Sequence, residues 1–127
     1  MTPQVPSVLM ELAGLLVRNA QPDVAPAERT NDLGLAAMLL LVAGEIWDRQ
    51  AHVLVDENRA IRALLDEAGE DKDLRLSVLQ VENNRLRAGL IHAQAAAETA
   101  GDVPRQAAIW AELVASTERR RLSTAPV

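Results

Sequence analysis

Apolar residues along the middle of the chain recur at alternating spacings of four and three. Leu33, Ala37, Leu40, Gly44, Trp47, Ala51, Leu54, Asn58, Ile61 and Leu65 form one such row. Leu76, Leu79, Asn83, Leu86, Leu90, Ala93 and Ala97 form a second. A seam of this period places its residues on one face of a helix and asks for a partner helix along it. The pattern predicts one long helix over residues 26–68 and another over 72–99. The first is about 40 residues and some 60 Å long. No strand-like alternation competes.

Breaker and capping residues bound these elements. Gly69-Glu70-Asp71-Lys72-Asp73 reads as a turn, with Gly69 closing the long helix and Asp71 or Asp73 capping the next. Gly101-Asp102 is the following turn, and Pro104 opens a helix over 103–122. Ser7 is the expected cap of a short first helix over 7–19, with Leu9, Leu12 and Leu16 on its apolar face. Residues 19–26 read as a loop, with Pro26 in the first turn of the long helix. A break near Thr30–Asn31 is the alternative to one continuous helix, since both residues can cap. Residues 1–6 and 123–127 are expected to be flexible tails of a single domain over 1–127.

The two seams register against one another. Leu65 faces Leu76, Ile61 faces Leu79, Asn58 faces Asn83, Leu54 faces Leu86, Ala51 faces Leu90, Trp47 faces Ala93 and Gly44 faces Ala97. All these pairs centre on a turn near residue 70. The expected fold is therefore all-α: a four-helix, bundle-like fold on a long antiparallel coiled-coil hairpin, with two shorter helices.

A short repeat reinforces the register. Leu54-x-x-Glu57-Asn58-x-x-Ile61-Arg62-Ala63-x-Leu65 matches Leu79-x-x-Glu82-Asn83-x-x-Leu86-Arg87-Ala88-x-Leu90. In the hairpin it creates a local two-fold relation, with Asn58 against Asn83, Glu57 near Arg87 and Glu82 near Arg62. An Asn pair in a seam fixes register at some cost in stability. On that account, leucine at both positions should stabilise. A polar pocket for a small ligand is the alternative. The Glu-Asn-x-x-Leu-Arg signature is common to coiled coils of many functions and assigns none.

The arms of the hairpin are unequal. The partner helix ends opposite about residue 41, so roughly four turns of the long helix overhang it. The first helix folds back along this overhang, setting Leu12 against Leu33, Leu9 against Ala36 and Val5 against Leu40. Leu33, Leu35 and the run Ala36–Val42 are apolar on every side, and such a helix needs burial on every side. A second copy completing an intermolecular four-helix bundle is the simplest cover. A small apolar ligand between helices near residues 33–47, a different protein partner or a broken helix are the alternatives.

Composition narrows the chemistry. The chain has 127 residues, a formal charge of −5, no cysteine, and two aromatic residues, Trp47 and Trp110. Disulfides, thiolate chemistry and cysteine-ligated zinc are excluded. The acidic balance and the lack of stacking aromatics argue against a nucleic-acid partner. Arg119, Arg120 and Arg121 read as complements to a helix C-terminus. The stretch Leu33–Gly44 is too short to span a bilayer, and Glu11 interrupts Val8–Val17, so neither membrane insertion nor a signal peptide is expected; a cytoplasmic location is. Both tryptophans are expected in the core, although Trp110 also suits an interface. Glu45, Asp48, His52 and His92 are the one patch with metal-ligand chemistry, but the paired Glu-x-x-His of di-iron bundles is missing. No phosphate loop, nucleophile elbow or zinc-protease motif occurs, and Ser7, Ser77, Ser116 and Ser123 lack a convincing His/Asp arrangement. No catalytic residue, cofactor or metal is assigned. The expected function is a non-enzymatic helical interaction protein that homodimerises through the overhang.

Overall fold

A computed structural model describes residues 4–23 and 27–123. Those residues form helices α1 (Val5–Leu15), α2 (Ala27–Leu65), α3 (Leu76–Ala100) and α4 (Val103–Arg120), with no strand among them. The fold is all-α. A π-helical turn (Leu16–Ala20) and a 3₁₀ turn (Gln21–Asp23) follow α1. Two compact units divide the chain: residues 1–49 with 122–127, and residues 50–121. Helix α2 contributes to both.

In the second unit most of the seam residues are buried. Leu54, Asn58, Ile61, Leu79, Asn83, Leu86, Leu90 and Ala97 all lie inside. Ile61, Leu86, Leu90 and Ile109 form the core cluster, with Leu64, Leu65, Ala93 and Leu113 packed on it. The register holds where polar atoms report it. Asn83 Nδ2 donates to Asn58 Oδ1 at 3.0 Å, Arg87 meets Glu57 at 2.6 Å and Arg62 meets Glu82 at 2.8 Å. Leu76, at the end of its row, is exposed. Helix α4 lies along α3, with Gln106 Nε2 donating to the Ala97 carbonyl at 3.2 Å and Arg120 Nη2 donating to Asn83 Oδ1 at 3.1 Å.

Several boundaries differ from the expected ones. Helix α2 is continuous through Thr30–Asn31 and ends at Leu65, earlier than 68. Asp66, rather than Gly69, adopts the left-handed conformation that ends it, at φ 56°. The Glu67 N–H closes back on the Arg62 carbonyl at 3.0 Å, the wide bond of a Schellman end. Helix α3 starts at Leu76, not 72, because neither aspartate serves as its cap. Asp71 turns inward to Arg62, and Asp73 is taken by the backbone and side chain of Arg75. At the other end of α3 the expected turn forms, with Gly101 left-handed at φ 66° and Asp102 Oδ1 accepting the Arg105 N–H at 3.1 Å. Helix α4 closes at Arg120 rather than 122.

The first unit joins α1 to the N-terminal half of α2. Helix α1 opens at Val5 rather than Ser7, with Pro6 in its first turn, where a missing N–H costs nothing. Residues 5 and 6, expected in a loose tail, are thus helical. Most of the expected loop 19–26 is helical too, while Pro26 lies outside the described residues. Pro6 and Leu9 approach Gly44, one to two turns further along α2 than the fold-back register implied. At the far terminus Ser123 is held by Glu45, which accepts its backbone N–H at 3.0 Å and its hydroxyl at 2.7 Å. Residues 124–127 of the expected tail lie outside the described residues.

Candidate functional site

Two features have chemistry to examine: a polar cluster buried in the second unit, and the apolar surface of the first. The cluster centres on Glu57, whose side chain is fully buried. Its Oε1 accepts from Arg87 Nη1 at 2.6 Å, Arg120 Nη2 at 2.9 Å and Asn83 Nδ2 at 3.2 Å. Its Oε2 accepts from Arg120 Nε at 2.9 Å and the Ser116 hydroxyl at 3.0 Å. Burial by itself would raise the carboxyl pKa. The hydrogen bonds from Arg120, Arg87, Asn83 and Ser116 outweigh it and hold the group at about 2.

The other half of the repeat is served differently. Arg62 Nη2 donates to Asp71 Oδ1 at 2.7 Å and to Glu82 Oε1 at 2.8 Å, and Asn58 Nδ2 donates to both Asp71 oxygens at 3.2 Å. Hydrogen bonds from Arg85, with Arg62 beside it, bring the Glu82 carboxyl to about 2 against the opposing effect of burial. The sequence repeat therefore marks the centre of the network and both flanking pairs. It misses Ser116, Arg120 and Asp71. Ser116 and Arg120 sit four apart on α4, one turn, which is the only linear trace of their common target.

Arg120 is thus not the simple helix-end complement expected of it. Arg119 does pair within α4, with Glu112 at 2.7 Å. Both oxygens of Glu57 are met by neighbours inside the chain. Such a set holds α2, α3 and α4 together.

Glu45 is engaged by Ser123 and Arg49, and His52 is an exposed side chain 3.2 Å from Asp56. Among the described residues no group of three or more His, Asp or Glu side chains is placed to hold a metal ion. Both tryptophans depart from their expected core positions: Trp47 is 61% exposed and Trp110 67% exposed. Each helix turns its Trp outward while smaller residues fill the interior.

The first unit buries little. Its buried apolar residues, among those described, are Ala13 and Ala37, against eight in the second unit. Leu35 (56% exposed), Met38, Leu39 (58%) and Leu41 open to solvent on α2, as do Val8, Met10, Leu12, Leu15 and Val17 on α1 and the π turn. A groove of about 340 Å³ in this unit is lined by Pro6, Met10, Leu40, Leu41, Gly44 and Glu45, among others. By length and composition one helix among the described residues, α2 over Arg29–Leu65, holds an 18-residue window apolar enough to cross a membrane, at a mean hydropathy of 1.2.

No family model, curated protein or solved structure matches the chain.

Proposed function

We propose that the chain is a non-enzymatic helical interaction protein that pairs with a second copy of itself through α1 and the N-terminal half of α2. One observation carries this reading: the unit built from those helices buries no Leu, Ile, Val or Met side chain among its described residues, while it leaves many of them exposed on both helices. Exposed apolar area of this kind is what interfaces cover. Two copies of an α1–α2 pair make a four-helix arrangement with two-fold symmetry, in which each large aliphatic chain moved out of water contributes about 1 kcal/mol or more. In this reading the α2–α3 pair is an antiparallel coiled coil that serves as the rigid support. The contact order along it, 57 with 87 and 62 with 82, favours that description.

Light scattering on the full chain at micromolar concentration tests the reading. The expected mass is at least twice that of the monomer, and Leu35→Glu with Leu39→Glu should lower it while helical content is kept. A wild-type monomer at that concentration overturns the proposal.

The groove near Gly44 and Leu40 favours a second reading, a binder of a small apolar ligand. Its 340 Å³ falls within the range of small-molecule sites. Native mass spectrometry separates the two readings. A co-purified small molecule on a monomer supports the binder, and a bare dimer supports self-association.

A further inference from the structure

The buried network of the second unit does not balance its charge. Glu57 supplies one carboxylate to two guanidinium groups, and among the described residues no second carboxylate pairs with Arg87 or Arg120. Arg87 is also unevenly used. Its donations to Glu57 and to Ser116 both leave from Nη1. Nε and Nη2 form the edge of a guanidinium that grips a carboxylate with two parallel bonds. In Arg87 that edge has no acceptor among the described residues. The Arg87 side chain is 41% exposed, whereas its partner Glu57 is fully buried.

Arg87 stands at one end of a groove between α3 and α4. The groove has a volume of about 180 Å³, and its other walls are Leu90, Ile91, Gln94, Ile109 and Leu113. Arg87 reaches Ser116 at 3.4 Å, and Gln106 reaches the Ala97 carbonyl at 3.2 Å, which fixes the order of the walls. Leu90, Ile91 and Leu113 follow Arg87, and Gln94 and Ile109 come next. From residue 87 to residue 94 the helix advances about 10 Å. Beyond Gln94 lies Glu98, which accepts the Gln94 amide N–H at 2.7 Å and puts negative charge at the opposite end. The groove is thus polarised, with a cation at one end, an anion at the other and aliphatic walls between.

Size and charge together define an occupant. Most small-molecule sites start near about 300 Å³, so this one takes a small ligand. A cavity of about 150 Å³ holds a benzene ring, which points to roughly six to eight carbons. An unbranched chain of about eight carbons, with C–C bonds of about 1.5 Å, also matches the length of the walls. The open edge of Arg87 calls for a carboxylate at the head of that chain. We propose that the α3–α4 groove binds a medium-chain aliphatic carboxylate, with its head group on Nε and Nη2 of Arg87 and its hydrocarbon chain along Leu90, Ile91, Leu113 and Ile109. The bound carboxylate completes the balance that Glu57 begins, two guanidinium groups against two carboxylates. The site lies within the second unit. It rests neither on the α1–α2 dimer nor on the groove beside Gly44.

The probe is octanoate, titrated into the isotopically labelled full chain and followed by amide and methyl NMR, with calorimetry on the same samples. The expected result is a set of saturable shifts at residues 87–94 and 109–116. Octan-1-ol has the same chain without the charge and should bind at least about tenfold more weakly, the worth of a charge-assisted hydrogen bond. Shortening octanoate to hexanoate should weaken binding by roughly three- to fourfold for each CH2 removed. Arg87→Lys keeps the charge and loses the fork, so it should weaken octanoate and leave octan-1-ol unchanged. Arg87 also holds Glu57, so Ile91→Glu supplies an arm outside the network. Ile91 is exposed on the groove's wall, and a carboxylate there should weaken octanoate by about tenfold or more through like-charge repulsion. Octan-1-ol binding as tightly as octanoate overturns the inference. So does an Ile91→Glu variant that binds octanoate like its parent, or the absence of shifts at 87–94 and 109–116 with millimolar octanoate. Shifts confined to residues 4–15 and 37–48 overturn it as well, while supporting the apolar binder read from the groove beside Gly44.

Discussion

Glu57 has the most to lose among single residues. It is the acceptor for Arg87, Arg120, Asn83 and Ser116 together, so it joins α2 to both α3 and α4. Glu57→Gln removes the charge that balances two guanidinium groups. Breaking a buried pair costs about 3–5 kcal/mol. Because Arg87 and Arg120 retain partial access to water, the expected loss is near the lower end, about 3 kcal/mol, measured by urea unfolding followed by circular dichroism. The same group gives a pH signature. The Glu57 and Glu82 carboxyls lie at about 2 in the folded chain against 4.5 ordinarily. A carboxyl whose folded pKa is depressed contributes fully above its unfolded value and loses that contribution as pH falls through the folded one. Stability should therefore decline between about pH 4.5 and 2. Glu57→Gln should make that decline shallower, which acid titration of the melting temperature reads directly. The Asn58–Asn83 pair changes meaning in the same light. Leucine at both positions would stabilise an isolated Asn pair, but here Asn83 also serves Glu57 and Arg120, and Asn58 serves Asp71. The double Leu variant should lose roughly 2–4 kcal/mol, because charged neighbours are left short of partners. A melting temperature at or above wild type would contradict this account.

At the scale of elements, the C-terminal ends of α2 and α3 obey one geometry with different residues. Gly101 sits left-handed where α3 ends, and Asp66 does so where α2 ends. Left-handed backbone costs a side chain about 1 kcal/mol that glycine avoids. Opposite signs are thus expected: Gly101→Ala should destabilise by about 1 kcal/mol and Asp66→Gly should stabilise by roughly 0.5–1 kcal/mol. Thermal melts of the two variants decide it. Asp102→Ala removes the side-chain cap of α4 and should cost about 1 kcal/mol. The turn chemistry at 101–104 was legible because Gly, Asp and Pro each hold their usual positions. The end of α2 was not, since an aspartate takes the glycine role three residues early, while Asp71 is diverted by Arg62. Propensity ranks which residue suits a cap; it cannot see a competing partner that only the packed chain supplies.

At the scale of the whole chain, the two units differ in how completely they close a core. The second surrounds Ile61, Leu86, Leu90 and Ile109 from three helices. The first has two helices and small buried residues, which leaves its larger aliphatic side chains facing water. Charged residues at positions 35 and 39 should therefore shift self-association and leave the unfolding of residues 50–121 nearly unchanged. Hydrogen exchange read segment by segment checks this: comparable slowing of α3 and α4 amides in wild type and in Leu35→Glu/Leu39→Glu is the expected outcome. Strong loss of protection in α3 would show that the substituted face supports the second unit's core.

Helical period, and the pairing around Asn58 and Asn83, were legible in the sequence alone. Apolar residues spaced by fours and threes share a face only on a helix. That physics is local, so the chain's own pattern suffices to set Asn58 against Asn83 and to bring both Glu–Arg pairs together. Tertiary packing decided what local periodicity does not encode: which third element arrives, and what it brings. Helix α4 delivers Ser116 and Arg120 to Glu57, and the 66–75 connection delivers Asp71 to Arg62. Two equal halves of a sequence repeat become a fully buried carboxylate on one side and a partly solvated one on the other. Trp47 and Trp110 are exposed, because helical periodicity specifies a face of the helix but burial requires a neighbour to cover it.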